Sequence, residues 1–221
     1  MRGHAPTSGI RAASLAIGRS RIVLDIETTG FSPKTDRIVS IAAAVTSAEP
    51  MASSSPPIFS RLVNPNRHIP SRATMVHGIT DEQVSTEPDW SVVGAQFWAW
   101  VFGHCAGHQP AVLVGHNIAK FDMPFILAET VRFRSCMPKK RRDIHVVDTL
   151  LISREMFPKQ VLASKKQCDV HEYLFGVQPA HQHTALGDVM ALKRIFEHEK
   201  FQTHVSNAEN GGVACVFNYS L

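Results

Sequence analysis

Four acidic side chains, distant in sequence, have the types and settings that a divalent-cation site requires: Asp25, Glu27, Asp122 and Asp188. Asp25 and Glu27 lie two residues apart in 21–31, where apolar residues alternate with others, and this period predicts a strand with both carboxylates on one face. Neighbouring carboxylates repel each other, and burying them costs free energy unless a cation neutralises them. Their hard oxygen ligands favour Mg²⁺ or Mn²⁺ over softer metals.

The other two carboxylates lie in segments with helical spacing and apolar neighbours. Asp122 follows the apolar run 111–114, a predicted buried strand, and lies in the predicted helix 118–128. Strand carboxylates joined by one from each of two helices could hold two cations about 3.5–4 Å apart, which clamp the attacking and leaving oxygens of a phosphodiester. His183 precedes Asp188 by five residues, which on a shared helix would place them on different faces. We therefore expect His183 in the loop before the helix, where its imidazole could deprotonate an attacking water.

The elements that must position these residues predict an α/β fold, a mixed sheet covered by helices. Five strands are predicted, in 21–31, 37–46, 58–63, 111–114 and 144–147. The segment 75–80 is predicted to be a loop, and Thr80 begins a short helix with a capping box. The remaining predicted helices cover 90–102, 118–128, 148–156, 164–175 and 185–196. The stretch 201–221 has little periodicity and is left unassigned.

Composition indicates a globular protein with one main domain, divided into a flexible leader (1–20), a domain (21–200) and a C-terminal tail (201–221). The net charge of +4 suits a polyanionic partner without requiring one. Four cysteines without C-x-x-C spacing indicate reduced thiols in an intracellular protein, in cytoplasm or nucleus. The leader has arginines and no acidic residue, which fits a flexible tail and also an organelle transit peptide. No apolar run approaches the length of a membrane span, so no membrane partner is predicted.

The acidic motifs together resemble those of the DEDDh (DnaQ-like) 3′→5′ exonucleases. The resemblance covers residue 21 to about residue 198 and rests on Asp25-x-Glu27, His116-Asn117-x-x-x-Phe121-Asp122 and His183-x-Ala185-x-x-Asp188. It implies an RNase H-like fold with a mixed five-stranded sheet flanked by helices. It also implies two Mg²⁺ ions, for which Mn²⁺ can substitute, and release of 5′-mononucleotides from a 3′ end. Parts of the chain are most similar to three-prime repair exonucleases, whereas 76–82 is more similar to polymerase proofreading subunits.

The resemblance also implies roles for individual residues. By position, His183 would be the general base, and Asp25, Glu27, Asp122 and Asp188 would bind the metal ions. A further set would hold the terminal nucleotide, order the site or contact phosphate: Thr28, Thr29, Phe31, Val76, His116, Asn117, Lys120 and Phe121. Apolar side chains that stack on bases suit unpaired ends of any sequence. Core packing is the alternative role for the three apolar members of this set.

The predicted function is metal-dependent 3′→5′ exonuclease activity on single-stranded or frayed DNA. An RNA substrate is the alternative, because recognition of the 2′-OH depends on pocket shape. A non-catalytic nucleic-acid-binding or polymerase-scaffolding module is a second alternative, which the five intact motif positions disfavour. The basic run 139–142 and the pair Lys165-Lys166 could contact a nucleic-acid backbone, form a nuclear import signal or be solvated loops. The resemblance further implies a homodimer and a polymerase or repair partner.

Overall fold

Six strands pair into one mixed sheet in a computed structural model that describes residues 21–46, 55–105, 109–138, 141–209 and 216–221. The strands are β1 (Arg21–Thr28), β2 (Ile38–Thr46), β3 (Ile58–Leu62), β4 (Ala111–Gly115), β5 (Asp143–Asp148) and β6 (Val216–Ser220). Their order across the sheet is β3-β2-β1-β4-β5-β6. The β1–β4 and β4–β5 pairings are parallel, and the β1–β2, β2–β3 and β5–β6 pairings are antiparallel. The predicted α/β architecture is therefore confirmed.

The sixth strand corrects the prediction of five. It lies in the stretch that the sequence left unassigned, and it pairs with β5 from Asp143↔Ser220 to Val147↔Val216. A five-residue strand without clear alternation is defined by the partner that it finds, which lies far away in the chain. The leader, residues 47–54 of the link between the second and third strands, and Lys139 and Lys140 of the basic run lie outside the described residues.

Helices cover both faces of the sheet. They are α1 (Ser71–His77), α2 (Asp81–Val84), α3 (Trp90–Gly103), α4 (Asp122–Arg132), α5 (Thr149–Met156), α6 (Gln167–Phe175), α7 (Ala185–Glu197) and α8 (Glu199–Glu209), with a 3₁₀ turn at Arg134–Cys136. In the described part of the chain, no helix combines the length and the apolar content needed to cross a membrane.

Helix ends follow local side-chain signals. The predicted capping box at Thr80 is present at the start of α2. The helix predicted over 118–128 begins later, at Asp122, which places Pro124 in its first turn, where proline is tolerated. Helix α1 was not predicted from the sequence, and it covers part of the predicted loop 75–80. It has no side-chain cap at its start, so the sequence contains no local signal for it. Its C-cap is Gly78, with a φ of 75° that suits glycine.

The alternation along β1 decides which face carries the carboxylates. Ile22, Leu24 and Ile26 belong to one core cluster, together with apolar residues of α3 and α4. Val23 belongs to the cluster on the opposite face, which α7 covers with Val189, Leu192 and Phe196. Because residues two apart on a strand share a face, the side chains of Asp25 and Glu27 point to the α7 side of the sheet.

Candidate active site

Three of the predicted carboxylates converge where β1 meets α7. Asp25 and Glu27 come from the carboxyl-terminal half of β1, and Asp188 comes from the first turn of α7. One carboxylate oxygen from each lies within 4.8 Å of the other two. This spacing allows all three side chains to coordinate one cation.

The fourth carboxylate lies next to this group. Asp122 is only 3% exposed at the start of α4, and its Oδ1 is buried without a hydrogen-bond partner in the described residues. Its negative charge raises the pKa of both Asp25 and Glu27. A buried, unpaired carboxylate oxygen beside other carboxylates is costly unless a cation satisfies it.

The electrostatics of the cluster favour a bound cation. Burial raises the pKa of Asp25 well above its ordinary value, and the charges of its three acidic neighbours add to this rise. Burial, followed by the charges of Asp188 and Asp122, raises the pKa of Glu27 to about 7. Burial also raises the pKa of Asp122 to about 7. Positive charge from a bound cation would therefore favour the ionised forms of these groups near neutral pH, and an all-oxygen donor set fits a hard divalent ion.

His183 lies in the loop before α7, as the sequence predicts, and its side chain is exposed. Burial raises the pKa of Asp188, and the charge and backbone amide of nearby His183 oppose that rise. The loop is tightly constrained, because His181 and His183 have φ values of 56° and 61°. The backbone carbonyl of His181 also accepts a 2.8 Å hydrogen bond from Thr184 Oγ1, the cap of α7.

Glycine at position 187 allows this loop to approach the helix. A Cβ added to Gly187 would lie under 3.0 Å from the carbonyl oxygen of His181 and from Thr184 Oγ1. The amide of Gly187 donates a 3.1 Å hydrogen bond to the same Thr184 hydroxyl. The loop that carries His183 is therefore fixed to α7 at a point where no side chain fits.

Asp148 positions the chain between β4 and Asp122. Its buried carboxylate accepts hydrogen bonds from the backbone amides of Asn117 at 3.0 Å and Ala119 at 3.2 Å. It also caps α5 through the amide of Leu150 at 3.0 Å. The sequence placed Asp148 at a helix start but missed this second role, since the pattern of an acidic cap does not reveal contacts with a distant turn.

Two of the three predicted base-stacking residues, Phe31 and Val76, are exposed, whereas Phe121 is partly buried. Phe31 is 85% exposed after β1, and its ring centroid lies 6.4 Å from that of Phe121. Val76 is 56% exposed on α1, and Lys120 is exposed in the turn before α4. Core packing therefore does not account for Phe31 or Val76. Phe121 is partly buried and packs against the core, and together with the exposed ring of Phe31 it forms an apolar surface on which a base could stack.

The remaining predicted residues act mainly within the protein. The hydroxyl of Thr28 donates a 2.6 Å hydrogen bond to the carbonyl of Gly30. Thr29 is fully buried, and its backbone amide donates to the carbonyl of Arg37 at 2.9 Å, so this amide is already occupied within the protein. His116 lies 3.0 Å from Thr149 Oγ1 through Nδ1, and its Nε2 donates to the carbonyl of Lys165 at 2.7 Å.

His77 is a candidate that the sequence analysis missed. Its Nδ1 accepts a 3.0 Å hydrogen bond from the amide of Ile79, so the ring proton of the neutral form lies on Nε2. Nε2 is buried and makes no hydrogen bond with the described residues. Burial lowers the pKa of His77, and the backbone of Thr28 opposes that change. A buried donor thus lies close to the backbone of Thr28, the last residue of β1.

The chain is similar to known proteins of one family. Residues 22–196 match the family described as Exonuclease (RNase_T). The DNA polymerase III subunit epsilon of Buchnera aphidicola subsp. Baizongia pistaciae is 30% identical over 181 residues, which cover 80% of this chain and 69% of that protein. An epsilon-like protein of Rhodobacter capsulatus is 36% identical over 179 residues, which cover 79% of this chain and 23% of that protein. The 3′-5′ exonuclease DinG of Bacillus subtilis is 33% identical over 62% of this chain and 13% of its own length.

A solved structure shares the fold. E. coli exonuclease I in complex with a dT13 oligonucleotide superposes with a TM-score of 0.66 at 18% identity, over 86% of this chain and 42% of that one. The chain spans about a quarter of the length of the Rhodobacter relative. The family match covers most of the chain, and the Buchnera relative is covered over more than two thirds of its length. The chain therefore belongs to the exonuclease family, and its resemblance to the DEDDh 3′→5′ exonucleases is confirmed.

Proposed function

We propose that this chain hydrolyses the terminal phosphodiester of DNA from single-stranded or frayed 3′ ends and releases 5′-mononucleotides. The observation that carries the proposal is the convergence of Asp25, Glu27 and Asp188 within 4.8 Å. The exposed ring of Phe31 after β1 and the partly buried ring of Phe121 before α4 add a surface for an unpaired base. The relatives named as polymerase III epsilon subunits and as a 3′-5′ exonuclease support the same reaction.

The four acidic residues would hold two divalent ions, which we infer to be Mg²⁺ with Mn²⁺ as a substitute. Asp25, Glu27 and Asp188 are the residues for one ion, and Asp25 with Asp122 are the residues for the other. Such ions, when bound, activate a water and stabilise negative charge on the oxygens of a phosphodiester. The unpaired Oδ1 of Asp122 fits this assignment, because nothing else in the described chain satisfies it.

The chain's own residues supply positioning and a proton acceptor. Phe31 and Phe121 would hold the terminal base by stacking, which fixes the nucleotide without regard to its sequence. The imidazole of His183 would take the proton of the attacking water, since it is exposed and lies near Asp188. Lys120, exposed two residues before Asp122, would contact a phosphate.

A labelled-oligonucleotide assay tests the proposal. A deoxyoligonucleotide labelled at its 5′ end should be shortened stepwise with Mg²⁺, and it should remain intact with a chelator or with a blocked 3′ end. His183→Asn should reduce kcat by about 10²–10⁴-fold, the usual contribution of a general base. His181→Asn is the matched control, because it removes an exposed imidazole two residues away in a similar backbone conformation. Full activity in His183→Asn, or loss in both variants, would refute the role of His183.

The substrate class and the partners need separate measurements. A matched RNA oligonucleotide in the same assay distinguishes a DNA substrate from an RNA substrate. Faster turnover of the RNA would show that RNA is the preferred substrate. We infer a polymerase or repair partner from the relatives named as polymerase III subunits. Light scattering on the purified chain tests the homodimer implied by the repair exonucleases.

A further inference from the structure

A basic cavity near the carboxylate cluster has no role in the mechanism proposed above. It has a volume of about 600 Å³ and lies between the end of β4, α5 and the loop before α6. The residues that give it its character are Arg154, Lys159, Lys165, Lys166, His116 and Ser164. Among the described residues that line it, none is acidic. A concave surface of one charge sign concentrates ligands of the opposite sign, so this cavity selects anions.

Three of its cations are available to a ligand. Arg154, Lys159 and Lys166 have exposed side chains and form no ion pair with a carboxylate in the described chain. Lys165 differs, because its ammonium donates to the carbonyl of Leu162. The cavity therefore presents three positively charged side chains that are not paired with a carboxylate among the described residues, and Lys165 forms part of its lining.

The cavity is tied to the catalytic cluster through two hydrogen bonds. The loop between α5 and α6 covers residues 157–166. His116 Nε2 donates to the carbonyl of Lys165 in this loop at 2.7 Å, which joins the loop to the end of β4. The parallel pairing of β1 with β4 ends at Val23↔Val114, two residues before Asp25 on β1 and two residues before His116. At the first residue of α6, directly after this loop, Gln167 Nε2 donates to the carbonyl of Asp188 at 2.8 Å. The end of the loop is thus held to the residue that follows β4, and the start of α6 is held to the helix that supplies Asp188.

We propose that this cavity binds backbone phosphates of the substrate strand, a short distance to the 5′ side of the bond that is cut. The inference rests on the proposed function and adds the path of the strand beyond its terminal nucleotide. Lysine and arginine contacts with phosphate position a strand without reading its sequence, which is what an enzyme that degrades successive nucleotides requires. For a single strand, each such contact adds about 0.7 to the magnitude of the slope of log binding constant against log salt concentration.

The test compares two substrates on a pair of charge-matched variants. Lys159→Gln/Lys166→Gln removes two cavity charges, and Arg61→Gln/Lys200→Gln removes two exposed charges from β3 and α8. One substrate is a thymidine oligonucleotide, and the other is the p-nitrophenyl ester of thymidine 5′-monophosphate, which has no upstream phosphate. For the cavity variant, we expect KM for the oligonucleotide to rise on the order of tenfold at 0.1 M salt, and its salt slope to fall by about 1.4. Hydrolysis of the ester should be unchanged, and the control variant should match the unmodified protein on both substrates.

The outcomes separate this inference from the proposed function. An unchanged KM and salt slope for the oligonucleotide would overturn the inference, and so would an equal loss on both substrates, which indicates a structural role. If the unmodified protein cleaves neither substrate, the proposed function fails. Binding of a fluorescent thymidine oligonucleotide in chelator then decides the inference alone, because the cavity variant must still bind about tenfold more weakly than the control variant.

Discussion

The carboxylate of Asp148 accepts a 3.0 Å hydrogen bond from the backbone amide of Asn117, which turns the chain after β4 with a φ of 70°. A second amide, that of Ala119, donates to the other oxygen of the same carboxylate. The path of the chain into α4, and with it the location of Asp122, depends on a residue that is not itself one of the proposed metal ligands.

Replacing Asp148 should therefore damage both stability and activity. In Asp148→Asn, an amide nitrogen replaces one accepting oxygen, and it faces a backbone donor. We expect a loss of about 1–3 kcal/mol in the free energy of unfolding, measured with urea. We also expect kcat to fall on the order of 10²-fold, since small displacements of catalytic groups have effects of this size. Asp143→Asn, at the exposed start of β5, is the control. Normal kcat in Asp148→Asn would contradict the positioning role.

Gly187→Ala should separate the loop of His183 from α7. The added Cβ would overlap the carbonyl of His181, so the loop must move and the cap at Thr184 is weakened. We expect kcat to fall on the order of 10²-fold, with about 0.5–2 kcal/mol lost from stability. Gly103→Ala is the control, because no atom lies within 4 Å of its added Cβ. Equal kinetics in the two variants would show that the loop adjusts freely.

Removal of divalent ions should make stability pH-dependent in a defined direction. The raised pKa values of Asp25, Glu27, Asp122 and Asp188 mean that the metal-free folded state keeps protons that the unfolded chain has already released. The contribution of these groups to the free energy of unfolding is therefore fully present below about pH 4. It is lost as the pH rises through the folded value, about 7 for Glu27. Divalent ions replace those protons.

Melting curves measure this effect. The difference in Tm between Mg²⁺ and chelator should widen from pH 5 to pH 8. It should lose this pH dependence in Asp25→Asn/Glu27→Gln, which has fewer acidic groups to neutralise. A difference that stays constant across this range in the unmodified protein would show that the cluster does not hold protons in the way proposed.

A buried carboxylate on α4 should contribute to stability alone. Glu129 is 1% exposed and pairs with Arg37 at 2.7 Å and Arg132 at 2.8 Å. Glu129→Ala leaves both guanidinium groups without this partner, although their partial exposure softens the effect. We expect a loss of about 2–3 kcal/mol in urea unfolding, below the value for a fully buried pair. The control is Glu197→Ala, because Glu197 is far more exposed than Glu129 and its i,i+4 pair with Lys193 should contribute less than about 1 kcal/mol. A similar loss in both variants would contradict the effect of burial.

Elements with strong local patterns could be predicted from the sequence. The alternation in β1 correctly placed Asp25 and Glu27 on one face, and the position of His183 outside α7 followed from helical geometry. The capping box at Thr80 was likewise a local signal with a definite structural meaning. In each case the information lies within a few residues of the feature that it predicts.

Features that depend on distant contacts could not be predicted in this way. β6 is defined by pairing with β5, where Ser220 and Asp143 lie 77 positions apart. The amide of Thr29 is unavailable because of Arg37, across the turn between β1 and β2. The second role of Asp148 and the burial of His77 also arise from packing. Local propensity contains no record of such partners.

The strand beside β1, β2, supplies none of the carboxylates, but its small side chains lie under the helix that supplies Asp188. Asp25 pairs in register with Ala42 on β2, and Ala42 and Ala44 lie in the same core layer as α7. Methyl groups are the smallest side chains that can fill this layer, so the helix rests low over the sheet and Asp188 reaches β1. A larger side chain at Ala42 or Ala44 would push α7 away from the sheet. Such a change offers a way to retune the preference between ions of different radius while every ligand stays in place.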